Sequence, residues 1–319
     1  MASIGGLHHV TCIAGEAQEN LDFYAGVLGM RLVKRTVNQD VPDSYHLFYA
    51  DGEGRPGTDL TFFPWPKMGP GQSGIGLAQE VQLAVPAGTL EGWQERLERR
   101  GVEAGAVEER FGERVLPLRD PHGLRLSLAE LLGEREFTPW PQSSVPESEQ
   151  IRGLHAVRLC ERELGPTAAF LTEAMGFEQA GVEDGWRRYQ VAGGGSGRAL
   201  DLKELPGERR GAWGVGSIHH VAWRVADLAA EMALRERVAE HGRRPTPLID
   251  RFWFRSVYFT EPGGALFELA TDGPGFTVDE EPEELGERLI LPPWLEPRRA
   301  RIELALPELR APAGGAFRG

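Results

Sequence analysis

Ser217-Ile-His-His-Val-Ala-Trp-Arg-Val225 and Glu261-Pro-Gly-Gly-Ala-Leu-Phe-Glu-Leu269 decide how this sequence is read. Both are apolar runs next to Gly or Pro turn signals, the pattern of buried strands. The first opens on a histidine pair and the second closes on a carboxylate. An imidazole and a carboxylate on neighbouring strands can hold a divalent metal, and two ligands invite a third. His220 and Glu268 lie 48 residues apart, the length of one βαβββ unit, which lets its first and last strands lie side by side.

The unit recurs through the chain, and a repeat outranks any single motif as a fold signal. Gly6-Leu-His-His-Val10 opens a strand, a helix follows around residues 20–27, and Leu28-Gly-Met30 leads into further strands. A shift of 147 carries Gly6 to Gly153 in Gly153-Leu-His-Ala-Val157, Phe23 to Phe170 and Gly29 to Gly176. A shift of 140 carries Glu80-Val-Gln-Leu-Ala-Val85 onto His220-Val-Ala-Trp-Arg-Val225, with matching helices at 90–100 and 227–241. One residue more aligns the turns Asp120-Pro-His-Gly123 and Glu261-Pro-Gly-Gly264, and with them Ser127 and Glu268. The expected fold is α+β: four βαβββ modules beginning near residues 6, 79, 153 and 217. Modules one and two fill 1–136 and modules three and four fill 153–290. The Pro- and Ser-rich residues 137–152 read as a linker, and 291–319 as a tail with a short helix near 298–306 that packs back on the core.

The repeats also sort the histidines. His9 and His220 take the second place of a His-His-Val opening, where module three has Ala156 and module two has Glu80. Modules one and four therefore offer a ligand set, His9, His220 and Glu268, the two-His-one-carboxylate triad of non-haem Fe(II) oxygenases. A single His on an apolar strand usually just satisfies local hydrogen bonds; three residues at matched repeat positions are a stronger signal. His155 aligns with His8, and period-two alternation turns both, together with His219, to the opposite strand face.

Composition narrows the partners. A net charge of −13 without a basic stripe argues against nucleic acid, and 41% hydrophobic with 26% charged residues is that of a globular protein. Neither a signal peptide nor a membrane span is evident, so the expected location is the cytoplasm. Cys12 and Cys160 are too few for a disulfide framework or a Cys-based zinc site. Gly193-Gly-Gly-Ser-Gly197 lacks the strand-then-helix context of a phosphate loop and reads as a hairpin tip.

These residues resemble the vicinal-oxygen-chelate superfamily, which includes glyoxalase I, extradiol dioxygenases and antibiotic-resistance proteins. Gly6-Leu-His-His-Val-Thr11, Leu32-Val-Lys-Arg-Thr36, Tyr45-His-Leu-Phe-Tyr49, Pro56-Gly-Thr58, Phe111-Gly-Glu-Arg114, Ile218-His-His220 and Pro262-Gly-Gly264 are similar to its ring-cleaving hydroquinone dioxygenases. The resemblance spans roughly residues 5–275. It implies two open, cupped β-barrels, a metal cradle made by modules one and four, and Fe(II), with Mn(II) or another divalent metal as a substitute. It implies a small aromatic substrate, dioxygen as co-substrate and, by analogy, a homo-oligomer. It also implies supporting roles for Thr11, His219, Arg251 and Tyr258. Arg251 would stabilise negative charge, Tyr258 would donate a hydrogen bond, and His219 is the candidate acid/base, while His8 reads as a packing or supporting residue. Phe252, Trp253 and Phe254 read either as the wall of a pocket for a flat ring or as packed strand residues, and Lys34 and Arg35 as solvated strand residues.

Three other functions share these features. A glyoxalase-like isomerase or lyase would need a fourth ligand from Gly57-Thr-Asp-Leu-Thr-Phe-Phe63, where Asp59 or Thr61 stands opposite Glu268 depending on the anchor chosen. A metal-free aromatic-binding protein needs no triad. An extradiol catechol dioxygenase shares the iron site and differs in its substrate.

Overall fold

The computed structural model describes residues 2–311. Module one contains β1 (Leu7–Ala14), α1 (Ala17–Leu21, continuing into a π-helical turn Asp22–Val27), β2 (Arg31–Val37), β3 (Tyr45–Ala50) and β4 (Asp59–Pro64). Module two contains β5 (Leu77–Val85), α2 (Leu90–Arg99), β6 (Glu108–Arg110), β7 (Glu113–Arg119) and β8 (Arg125–Glu130). Module three contains β9 (Gly153–Glu161), α3 (Leu164–Glu173), β10 (Glu178–Glu183), β11 (Trp186–Gln190) and β12 (Ala199–Glu204). Module four contains β13 (Ser217–Val225), α4 (Leu228–Glu240), β14 (Ile249–Asp250), β15 (Arg255–Thr260) and β16 (Leu266–Thr271). The shifts read from sequence hold at element ends: β5 and β13 differ by 140 at both ends, and β8 and β16 by 141.

Modules pair by first strands, one with four and two with three. One eight-stranded sheet runs β14-β15-β16-β13-β1-β4-β3-β2 and the other β10-β11-β12-β9-β5-β8-β7-β6. Within a module the first and last strands are parallel, as β1 with β4 and β13 with β16; between modules β1 meets β13 antiparallel. Each sheet curls into an open half-barrel.

Alternation assigns the two faces. Val10, Cys12 and Ala14 of β1, Leu47 and Tyr49 of β3, and Phe267 and Leu269 of β16 enter the main core. Their neighbours His9, Thr11, His46, Phe48 and Glu268 line the inside of the cup. Both faces of the central strands are covered, which is why they read as continuous apolar runs with a few polar residues inserted. Helix α4 shows the complementary logic: Asp227 caps it by accepting from Ala230 N at 2.8 Å, and Glu231, Leu234 and Val238 form its buried stripe.

Residues 137–152 form neither helix nor strand, yet they are anchored. Val145 and Ile151 are buried, and Gln150 both donates to Trp140 O and accepts from Trp140 N at 3.0 Å. In the tail, α5 (Arg299–Ala305) buries Ile302 against Val37, Leu291 and Leu295; residues 312–319 lie outside the described residues. Among the described residues no helix is long and apolar enough to cross a membrane.

Lys34 corrects the sequence reading. It is fully buried, and the segment after β16 folds over it, pairing its ammonium with Asp279 at 2.8 Å and with Glu280. The same ammonium lies 5.1 Å from the Trp253 ring centroid. Arg35 is half-buried and donates to Glu287 O at 2.6 Å. In both cases the partners lie more than 240 residues away, beyond the reach of strand patterning.

Candidate metal centre

Two β-bulges shape the site. The β1–β13 register skips His8 on one strand, where Leu7 pairs with Trp223 and His9 with Ala222, and His219 on the other, where Thr11 pairs with His220 and Cys12 with Ile218. A bulge leaves one residue unpaired and re-aims its side chain. His8 and His219 are thereby turned towards their neighbours, contrary to the strict alternation expected for them. The His8 and His9 rings meet edge to face at 5.1 Å, and so do the rings of His219 and His220.

The resulting hydrogen bonds dictate tautomers. His8 Nε2 lies 3.1 Å from Thr271 O, which only accepts, so this nitrogen carries the proton. Burial and the adjacent His9 push His8 down to about 3, so it is neutral and its Nδ1 is an acceptor. His9 Nδ1–H donates to it at 2.9 Å, which leaves His9 Nε2 with a bare lone pair. On β13 the matching contact sets His220 Nδ1 2.8 Å from His219 Nδ1; donation from His220, the direction that metal ligation by its Nε2 requires, leaves that Nε2 in the same state. Burial likewise pushes His219 down to about 3.

Both bare nitrogens face Glu268 Oε2. The separations are 3.3 Å from His9 Nε2 to His220 Nε2, 3.3 Å from His9 Nε2 to Oε2, and 3.0 Å from His220 Nε2 to Oε2. Oε2 is buried without a hydrogen-bond partner, while Oε1 accepts from Ser256 Oγ at 2.5 Å. Three acceptors converging without a proton between them suit a cation. Ligands about 2.1 Å from a metal stand roughly 3.0–3.4 Å apart in right-angle or tetrahedral arrangements, so the spacing fits. Among the described residues this is the sole group of three or more His, Cys, Asp or Glu side chains gathered closely enough to hold a metal.

Asp59 stands apart from that group. It pairs with His9 across β1 and β4, and Thr61 pairs with Thr11. On β13 and β16, Ala222 pairs with Glu268. Superposing His9 on His220 therefore puts Thr61 in the place of Glu268, and anchoring on the glycine is the correct alignment. Burial and the nearby Asp51 push the Asp59 carboxyl well up.

A narrow cavity opens beside the triad, with walls that include His46, Phe48 and Phe63 from module one and Arg251, Trp253, Phe254 and Tyr258 from module four. Trp253 and Phe254 are thus wall residues. Phe252 faces away towards Trp294, held at φ 74° with its N–H on Asp250 Oδ1 at 2.8 Å. Arg251 pairs with Asp40 at 3.0 Å, and Gln39 Nε2 donates to Arg251 O at 2.9 Å, so the β2–β3 loop covers the mouth. Tyr258 meets His220 edge to face at 5.6 Å. Burial and Glu268 push its phenol up, against the opposing effect of Arg251. Thr11 Oγ1 bonds Thr61 Oγ1 at 2.8 Å. His219 backs His220 with its ring stacked on Trp213 at 4.5 Å, a supporting position. His46, which sequence reasoning passed over, belongs to the wall; its alternation with Leu47 and Phe48 was the available signal.

The other half-barrel carries the matching positions with different contents. Glu80 stands for His220, Ala156 for His9 and Ser127 for Glu268. Arg110 pairs with Glu80 at 2.5 Å, and Ser127 Oγ donates to Glu80 at 2.7 Å. Arg188 bridges Asp201 at 2.8 Å and Glu113 at 2.7 Å, and His155 lies 3.1 Å from Glu113. Compensating charges occupy this cup.

The family model described as Glyoxalase/Bleomycin resistance protein/Dioxygenase superfamily matches residues 6–128 and 153–269. The chain is 43% identical over 301 residues to "Putative ring-cleaving dioxygenase MhqO" of Bacillus subtilis (strain 168), covering 94% of this chain and 95% of that protein. It is 36% identical over 301 residues to a chlorohydroquinone/hydroquinone 1,2-dioxygenase of Sphingobium indicum, covering 92% and 93%. A crystal structure of a dioxygenase, named putative, from Bacillus subtilis matches with a TM-score of 0.93 at 42% identity, over 98% of this chain and 99% of that one. Glyoxalase I from Zea mays shares the fold, with a TM-score of 0.61 at 17% identity over 84% of this chain and 92% of that one.

Proposed function

The chain belongs to the glyoxalase/bleomycin resistance protein/dioxygenase superfamily, and from that premise we propose that it is an Fe(II)-dependent dioxygenase that opens the ring of a hydroquinone-like aromatic. The observation that carries this reading is the convergence of two bare imidazole nitrogens and one unpartnered carboxylate oxygen on a single point beside an aromatic cavity.

His9, His220 and Glu268 would hold the metal. Iron in that set supplies Lewis acidity towards a phenol and a one-electron path between an aromatic ring and dioxygen. His8 and His219 keep the ligand nitrogens pointed and unprotonated. Phe48, Phe63, Trp253 and Phe254 offer a dry, flat-walled space for an aromatic ring. Arg251 keeps its charge in the wall and stabilises a phenolate formed there; Tyr258, held as a neutral phenol, donates a hydrogen bond. The loop residues Gln39 and Asp40 limit water access. With Thr61 in the place corresponding to Glu268, a four-ligand isomerase centre finds no carboxylate there.

The test is oxygen consumption by anaerobically Fe(II)-loaded protein, with hydroquinone and catechol offered separately and the ring-opened product followed by absorbance. Uptake with hydroquinone is expected. Uptake with catechol alone would keep the iron chemistry and change the substrate class. No uptake with either, at full metal occupancy, would overturn the dioxygenase reading.

A further inference from the structure

His46 has no task in the chemistry above, yet it is built into the cavity wall. It sits on the cup face of β3, clamped between Phe48 and Phe63 at ring centroid distances of 4.0 and 4.4 Å. Its Nε2 lies 2.9 Å from Thr61 Oγ1, and Thr61 is in turn tied to Thr11. Among the described residues nothing takes its Nδ1. It lines the same cavity as His9 and His220 and makes no hydrogen bond or ring contact with either.

We propose that His46 is a specificity-determining residue whose Nδ1 binds the second oxygen of the substrate, the one across the ring from the metal triad, and so favours para-dihydroxylated rings over vicinal ones. This rests on the ring-cleaving reading. A diol whose two oxygens are adjacent presents both at the metal end and turns a C–H edge towards His46, leaving a polar nitrogen desolvated without a partner, which is the costly case. A para hydroxyl satisfies it. Burial, His9, His220 and Arg251 keep the imidazole neutral, so it can donate to or accept from a neutral phenol. The clamp and the Thr61 bond fix its ring beforehand, so little orientational freedom is lost on binding.

The experiment compares anaerobic equilibrium binding of hydroquinone, catechol and phenol to Fe(II)-loaded wild-type protein, His46→Phe, His46→Asn and Thr61→Val, read by calorimetry. Wild type is expected to bind hydroquinone roughly ten-fold tighter than phenol, the effect of one hydrogen bond of ordinary net strength. His46→Phe, which preserves the aromatic packing, should bring that ratio to about one while phenol affinity stays the same. His46→Asn should restore part of it, and Thr61→Val should reduce it by freeing the ring. A preference that survives in His46→Phe, or one absent from wild type, overturns the proposal. If His46→Phe does not fold, the Asn and Val variants decide by the same ratio. Oxygen uptake by wild type reports separately on the ring-cleaving reading: uptake with hydroquinone beside an unchanged ratio in the variants leaves that reading standing and removes His46 from it.

Discussion

At the scale of single residues, the site depends on protons whose positions are set one atom at a time. Thr271 O can only accept, so His8 must donate to it and can only accept from His9; the chain of bonds ends in a bare Nε2. His9→Ala, His220→Ala and Glu268→Ala are each expected to abolish metal retention after gel filtration, with iron measured by elemental analysis, and His155→Ala is expected to keep it. Equal loss in the His155 variant would sink the assignment of ligands to modules one and four. His8→Phe keeps a ring against Phe254, which lies 5.3 Å from His8, but removes the acceptor for His9 Nδ1–H. Metal affinity, measured by chelator competition, should fall about 10–100-fold with the fold intact, and an unchanged affinity would show that His8 only fills space. The three candidate ligands were legible in the sequence because repeat alignment compares like positions. The roles of His8 and His219 were not, because alternation holds only while a ladder is regular and these two residues are the bulges in it.

Elements add constraints of their own. Helix α4 packs Glu231 in its apolar stripe, fully buried, with neither carboxylate oxygen hydrogen-bonded. Burial, and then the charge of Glu268, push this carboxyl up to about 8 from the ordinary 4.5, with Arg255 opposing. The native state therefore keeps a proton that the unfolded chain releases near pH 4.5, and stability falls as pH rises from about 4.5 to 8. Glu231→Gln removes that dependence. Its melting temperature relative to wild type, both metal-free, should climb across this window and level off below it; a difference that does not vary with pH would show that Glu231 is ionised in the fold. Strand ends and turns were legible because they rest on local chemistry, as in the Asp120 and Glu261 turns. The burial of Glu231 and Lys34 was not, since the charge of each is opposed or paired by groups far away in sequence.

For the whole molecule, the two half-barrels show one scaffold filled in two ways. The cup of modules one and four gathers three side chains placed to hold a cation; the cup of modules two and three gathers carboxylates already matched by Arg110, Arg158 and Arg188. Removing one member of a buried pair strands the other, at a cost of about 3–5 kcal/mol. Arg188→Met leaves Asp201 buried without its strongest partner, and should lower unfolding stability in urea by about that amount while iron stoichiometry stays unchanged. Loss of iron in this variant would mean the cups are not independent. The sequence by itself determined the module, its four copies, the strand faces and the three candidate ligands, because each module must bury the same faces and so repeats the same pattern at constant offset. Only the tertiary structure decided the pairing register with its two bulges, the tautomers that follow, the place of Thr61 over Asp59, the burial of Lys34, and the seat of His46 in the cavity wall. Each of these depends on which distant backbone atom or charge ends up within bonding distance, a property of the closed sheet and not of any stretch of chain.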